Sequence, residues 1–185
     1  LYYINNTKVC KMIIKNISPI ICLILFMTIE IVSIGMVYPD DTTTFNTLRI
    51  SSEDIPAGFV FGKIPQFAKK IFPENPCIVS TEGIQFLASK LYPDGNPYNI
   101  KNMYVAIMSE STKPFGDDLV CYVLMFKDQP SASTEIKKIQ EFHQYNKDRI
   151  VLIIKGQIAI MLFADDINNY KYVAELGNKL SSKLD

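Results

Sequence analysis

No tryptophan occurs among the 185 residues, and His143 is the one histidine. A lone histidine removes most zinc and multi-histidine chemistry, because such sites need several ligands converging on one ion. There is no surplus of charge of either sign: 19 basic and 19 acidic residues give a formal charge of zero. Nucleic-acid binding rests on a basic patch or stripe that neutralises phosphates, so the balance argues against it. The chain also lacks G-x-S-x-G, H-E-x-x-H, C-x-x-C and C-x-x-C-H. Active sites need not carry such marks, but their absence weakens the case for an enzyme. Ala57–Lys63 (AGFVFGK) is rich in glycine, yet it has neither the G-x-x-x-x-G-K-[ST] spacing nor a parallel strand-to-helix unit around it. No motif implies a cofactor.

What the chain has in quantity is apolar side chain. A hydrophobic content of 48% suffices for the core of one domain of ordinary size. Its first concentration is N-terminal. Lys8, Lys11 and Lys15 precede the uncharged run Ile17–Met27, and a continuation to Val37 is interrupted by Thr28, Glu30 and Ser33. A basic flank, an apolar stretch and the small-x-small sequence Ser33-Ile34-Gly35 describe a secretory signal cleaved before Met36. The same Ile17–Val37 stretch has the roughly 20 residues a membrane span requires. Glu30 counts against the span, since an acidic residue at the bilayer centre costs about 2.5–3.5 kcal/mol on insertion scales. Cys22 follows Pro19-Ile20-Ile21, which are not the small residues that a lipid-acylation site needs. The chain begins with Leu1 rather than methionine, and a start at Met12 would suit either reading. Residues 1–37 are therefore a signal peptide or a membrane anchor, and the remainder is exported to a periplasmic or extracellular location, or tethered to the membrane.

Residues 38–54, rich in threonine and aspartate and without sustained period, read as a polar linker ahead of a single globular domain over 55–185. Pro65 opens a short helix over 64–72, with Ile64, Phe67, Ala68, Ile71 and Phe72 at helical spacing and Pro73 as its stop. A second helix runs over 81–91, with Ser80 as N-cap and Ile84, Leu87, Ala88 and Leu91 inward. Apolar runs over 103–109 and 119–127 are strands, and Ser133 caps a helix to residue 146 that turns Ile136, Ile139 and His143 inward. Two further strands, 149–155 and 157–164, flank Lys155-Gly156-Gln157, where Gly156 supplies the positive φ of a tight hairpin. Both faces of this hairpin are apolar, which places it centrally, covered from both sides. A last helix spans 166–183 behind an aspartate cap, Asp165 or Asp166. Two ββα units thus predict an α+β fold with a mainly antiparallel four-stranded sheet. The two long helices are expected on one face, and the N-terminal helices or a second subunit on the other.

Candidate chemistry is sparse. Cys77 and Cys121 form a candidate disulfide, which export would permit. Cys121 with His143 as base is a formal thiol site, but an apolar setting raises a thiol pKa, the wrong direction for a nucleophile. Asp117-Asp118 and Asp165-Asp166 read as loop ends and caps, and would form an acidic patch only if the strands brought them together. Tyr92, Tyr98, Phe115 and Tyr145 sit where loops begin, and are expected to seal the edges of the core. No residue stands out as catalytic, cofactor-binding or metal-ligating. The expectation is a non-enzymatic module that contacts another protein or a second copy. The alternatives are a small-ligand-binding module with a pocket between the sheet and the N-terminal helices, and an unmarked hydrolase or thiol enzyme. Sequencing the N-terminus of the mature protein separates the first two topologies: a chain starting at Met36 marks the signal, and an intact, membrane-sedimenting chain marks the anchor.

Overall fold

In chain order the elements are helix α1 (Asp41–Thr47), strands β1 (Phe59–Phe61) and β2 (Cys77–Ile78), helix α2 (Thr81–Leu91), strands β3 (Ile100–Glu110) and β4 (Leu119–Phe126), helix α3 (Gln129–Gln144), strands β5 (Ile150–Lys155) and β6 (Ile158–Ala164), and helix α4 (Tyr170–Ser182). The structure, a computed structural model, describes residues 41–116 and 118–184. The segment read as signal or anchor, and Asp117, lie outside the described residues. No described helix is long and apolar enough to cross a membrane.

The fold is α+β, built on a six-stranded antiparallel sheet in the order β1-β3-β4-β6-β5, with β2 sharing the outer edge of β3 with β1. The four strands expected from apolar runs are present. The two additional ones are too short to announce themselves: three and two residues that are extended because β3 offers a ladder, at Phe59↔Glu110 and Cys77↔Val105. Glycine-rich Ala57–Lys63 is accordingly strand β1 and its flanks. Between β1 and β2 the Asn75 side chain completes that edge. Its amide donates to the carbonyls of Gly62 and Ile107, both at 2.7 Å, and its oxygen accepts from Ile107 N at 2.9 Å.

The β5–β6 hairpin turns through Gly156 at φ +57°, as its sequence requires. It is not central as a unit. β6 lies inside the sheet against β4 (Cys121↔Leu162), whereas β5 is the outermost strand. β4 and β5 run parallel with β6 between them, so α3 is a crossover that skips one strand.

One sheet face carries Tyr104, Ala106, Met108, Cys121, Val123, Ile160 and Leu162, and is covered by Val173, Leu176 and Leu180 of α4 and by Phe45, Leu48 and Ile50 at α1. The other carries Met103, Val105, Leu124, Phe126, Ala159 and Met161, beneath α2 (Ile84, Leu87, Leu91) and α3 (Ala132, Ile139). The two long helices therefore lie on opposite faces, each joined by one N-terminal helix, and the described domain is three layers deep. Neither α3 nor α4 alone is wide enough for a sheet with no polar side. Gly177 lets α4 lie close on the edge strand, since a Cβ there would meet Val151 Cγ1 at 2.8 Å.

The residues taken as a polar linker are part of this core. Phe45 is 2% exposed and Leu48 fully buried. Tyr104 on β3 pins the segment by both donating to Ile50 O (3.2 Å) and accepting from Ile50 N (3.0 Å). Asp54 ties the following turn to α4, accepting from Ser51 N and from Lys183 Nζ at 2.8 and 2.7 Å. Conversely, the helix expected over 64–72 is only a 3-10 turn, Gln66–Ala68. Two prolines leave it under two turns, too short to nucleate, and Phe67 is 88% exposed. α2 begins where expected, with Ser80 Oγ accepting from Gly83 N at 3.1 Å. α3 starts earlier than Ser133, capped by Asp128 accepting from Ser131 N at 2.8 Å with Pro130 in the first turn.

Phe45→Ala should destabilise the protein by about 3–5 kcal/mol, the cost of an aromatic lost from a packed core, whereas exposed Phe67→Ala should stay within about 0.5 kcal/mol. Urea unfolding of the two variants compares them directly.

Candidate binding site

The thiol and the imidazole of the formal Cys121–His143 site lie apart. Cys121 is fully buried in β4, on the face covered by α1 and α4, and burial pushes its thiol well above the ordinary value. His143 is near the end of α3, on the opposite face, so the sheet separates this pair. The imidazole Nε2 instead donates to the carbonyl of Ile150 at 3.1 Å, capping the first residue of β5. Cys77 and Cys121 are both buried free thiols. β3 runs between their strands, so their Cα atoms stand about two strand spacings, roughly 10 Å, apart, beyond the roughly 7 Å a disulfide spans. Their partners on β3, Val105 and Ala106, are adjacent and hence point to opposite faces.

The sheet does bring Asp118 and Asp165 side by side, Asp165 N donating to Asp118 O at 3.0 Å. Asp118 Oδ2 accepts from Glu110 N (2.9 Å) and Asp166 Oδ1 from Asn168 N (2.8 Å), so both close turns. Among the described residues no three His, Cys, Asp or Glu side chains are grouped as a metal site would need. Of the aromatics expected to seal core edges, Tyr92 is buried, but Tyr98, Phe115 and Tyr145 are exposed.

Glu135 was not anticipated, although its spacing from Ala132 and Ile139 puts it on the buried stripe of α3. The side chain is fully buried and accepts four hydrogen bonds: Tyr92 Oη (2.9 Å) and Asn96 N (3.1 Å) on Oε2, Asn99 Nδ2 and Lys138 Nζ (both 2.8 Å) on Oε1. It fastens the turn between α2 and β3 onto α3. Burial acts to raise its pKa, but the bonds from Lys138, Asn96, Asn99 and Tyr92 outweigh it and hold the carboxyl below its usual range. Tyr92, buried beside that negative charge, is pushed up.

Two depressions flank α3. On one side a groove of about 390 Å³ lies between α2 and α3. Val120, Tyr122 and Phe163 form its floor, Leu87, Leu91 and Phe142 its walls, and Lys90, Arg149 and Asp165 its rim. On the other side an open trough of about 530 Å³ follows the outer edge of β5, with Leu152 and Ile154 under Gln140, His143, Gln144 and Lys147. The backbone beside this trough faces outward at alternate residues. Ala164 N donates to Arg149 O, while Ile150 N turns outward to Asn146 O at 2.9 Å. By antiparallel alternation, the N–H and C=O groups of Leu152 and Ile154 also face away from β6. No described strand pairs with that edge.

No family model, curated protein or solved structure matches this chain.

The depressed Glu135 pKa contributes stability that is present above the unfolded carboxyl value, about 4.3, and is lost as pH falls through the lower, folded value. Glu135→Gln should cost about 2–4 kcal/mol at neutral pH, as a broken buried charge network does. The gap to wild type should narrow below about pH 4, which urea unfolding across pH 3–7 would reveal.

Proposed function

We propose that the protein is a non-enzymatic interaction module, exported or tethered to the membrane by its N-terminal segment, that binds an extended segment of a partner protein along β5. The open β5 edge beside the α3 trough carries this reading. An added strand would take its ladder from the backbone of Leu152 and Ile154, and its alternate side chains would enter the trough beneath α3. Main-chain pairing supplies affinity in such complexes, and the pockets for alternate side chains supply selectivity. The contrast between the two sheet edges supports the reading. β1, β2 and Asn75 close the β3 side, whereas β5 has neither a proline nor a break in its register with β6. Edge strands of that kind are ordinarily blunted or covered, because they pair with any available strand. Ile154, 37% exposed, leaves apolar surface beside the free backbone.

Hydrogen exchange tests the edge directly. In the dilute protein the amides of Leu152 and Ile154 should exchange at least about ten-fold faster than those of Val151 and Ile153, which point to β6. Peptides selected from a random display library should alternate apolar residues, protect the two fast amides, and bind at least about ten-fold more weakly to Ile154→Lys. Equal protection of all four amides in the free monomer would rule the edge out.

A further inference from the structure

The groove on the other side of α3 has a chemistry that strand pairing does not use. Its floor is an edge-to-face pair of rings, Tyr122 and Phe163, with centroids 5.7 Å apart and planes at 87°. These two, with Val120 and Phe142, belong to the core of that sheet face yet are only half-buried, because α2 and α3 leave the space between them open. The volume of about 390 Å³ lies near the lower end of small-molecule sites.

The rim is charged. The Lys90 ammonium stands 3.6 Å from the centre of the Phe86 ring, and among the described residues no carboxylate is paired with it. Arg149 gives one N–H to the Asp165 carbonyl at 3.4 Å and lies 3.9 Å from the Asp148 carboxylate, which leaves other guanidinium donors for a ligand. Asp165 is the one carboxylate that lines the groove, and Asp148 stands beside Arg149, so Lys90 is the rim cation that no described carboxylate offsets.

We propose that this groove binds an amphipathic organic anion, an acyl carboxylate whose chain lies over Tyr122 and Phe163 and whose carboxylate is held between Lys90 and Arg149. The apolar floor supplies affinity without direction, and the two cations orient the head group at the mouth. Asp165 opposes the same head group and so tempers the affinity. The site is separate from the β5 edge, and either can fail without the other.

The test uses the full chain and a decanoate carrying a diazirine near its methyl end, with the matching decanol as the uncharged control. After photolysis, mass spectrometry should place the decanoate label on the peptides containing Leu87–Leu91, Val120–Tyr122 and Phe163–Asp165, with unlabelled decanoate competing. Lys90→Glu combined with Arg149→Glu, both exposed and outside the core, should reduce that labelling at least ten-fold and leave decanol labelling within two-fold. Asp165→Asn should raise decanoate labelling two- to five-fold. Labelling only in the α3–β5 trough or the N-terminal segment would overturn the proposal. So would equal decanoate labelling of wild type and the double variant, or no competable labelling of these peptides at all.

Discussion

A sheet without a polar face cannot exist at the surface, and most of this structure follows from that one constraint. Along β4 and β6, side chains pointing either way are apolar, so both faces have to be removed from water. One helix covers only a stripe of a sheet this wide. Two are needed on each side, and the chain supplies them from different places: α2 with α3 on one face, α1 with α4 on the other. The requirement explains why a seven-residue, threonine-rich helix is retained at all. α1 has little helical propensity of its own, and Phe45 and Leu48 hold it against the sheet.

Covering the faces does nothing for the edges, where backbone rather than side chain is exposed. The protein treats its two edges differently. At β3 the ladder is completed piecemeal, by three residues of β1, two of β2 and one asparagine side chain standing in for a strand between them. At β5 only the first residue is capped, by Asn146 and His143, and the strand beyond it faces outward. The same helix that caps β5 walls the trough beside it and the groove behind it. α3 thus stands between the open β5 edge and the groove, and Glu135 locks that helix to the α2–β3 turn.

Much of this was legible in the sequence because it is local. β-branched runs marked the four long strands, Gly156 marked the hairpin, and Ser80 marked the start of α2. The losses are all of information that a segment does not carry by itself. β1 and β2 are strands only because β3 is beside them, and α1 is a helix only because the sheet is beneath it. Which face a helix takes depends on how the chain crosses over, so α3 and α4 looked equivalent when read in series. An apolar strand reads the same at an edge as in the middle, which hid the position of β5. The spacing of Glu135 on its stripe was readable, but three of its four partners come from the α2–β3 turn, distant in sequence. The groove was not readable, because α2 and α3 share a face only through the crossover, and Lys90, Arg149 and Asp165 converge only after β4, β5 and β6 have paired.

The position of α4 bears on how the protein is made. Every described strand is synthesised before it, so the sheet face lined by Cys121, Val123, Ile160 and Leu162 waits only partly covered for Val173, Leu176 and Leu180 to arrive. Until then, β5 and β6, two neighbouring segments rich in isoleucine, are exposed both on a face and at an edge, the combination that favours intermolecular cross-β assembly over folding. Burial of that face waits on the thirteen-residue helix α4 rather than on closure of the hairpin.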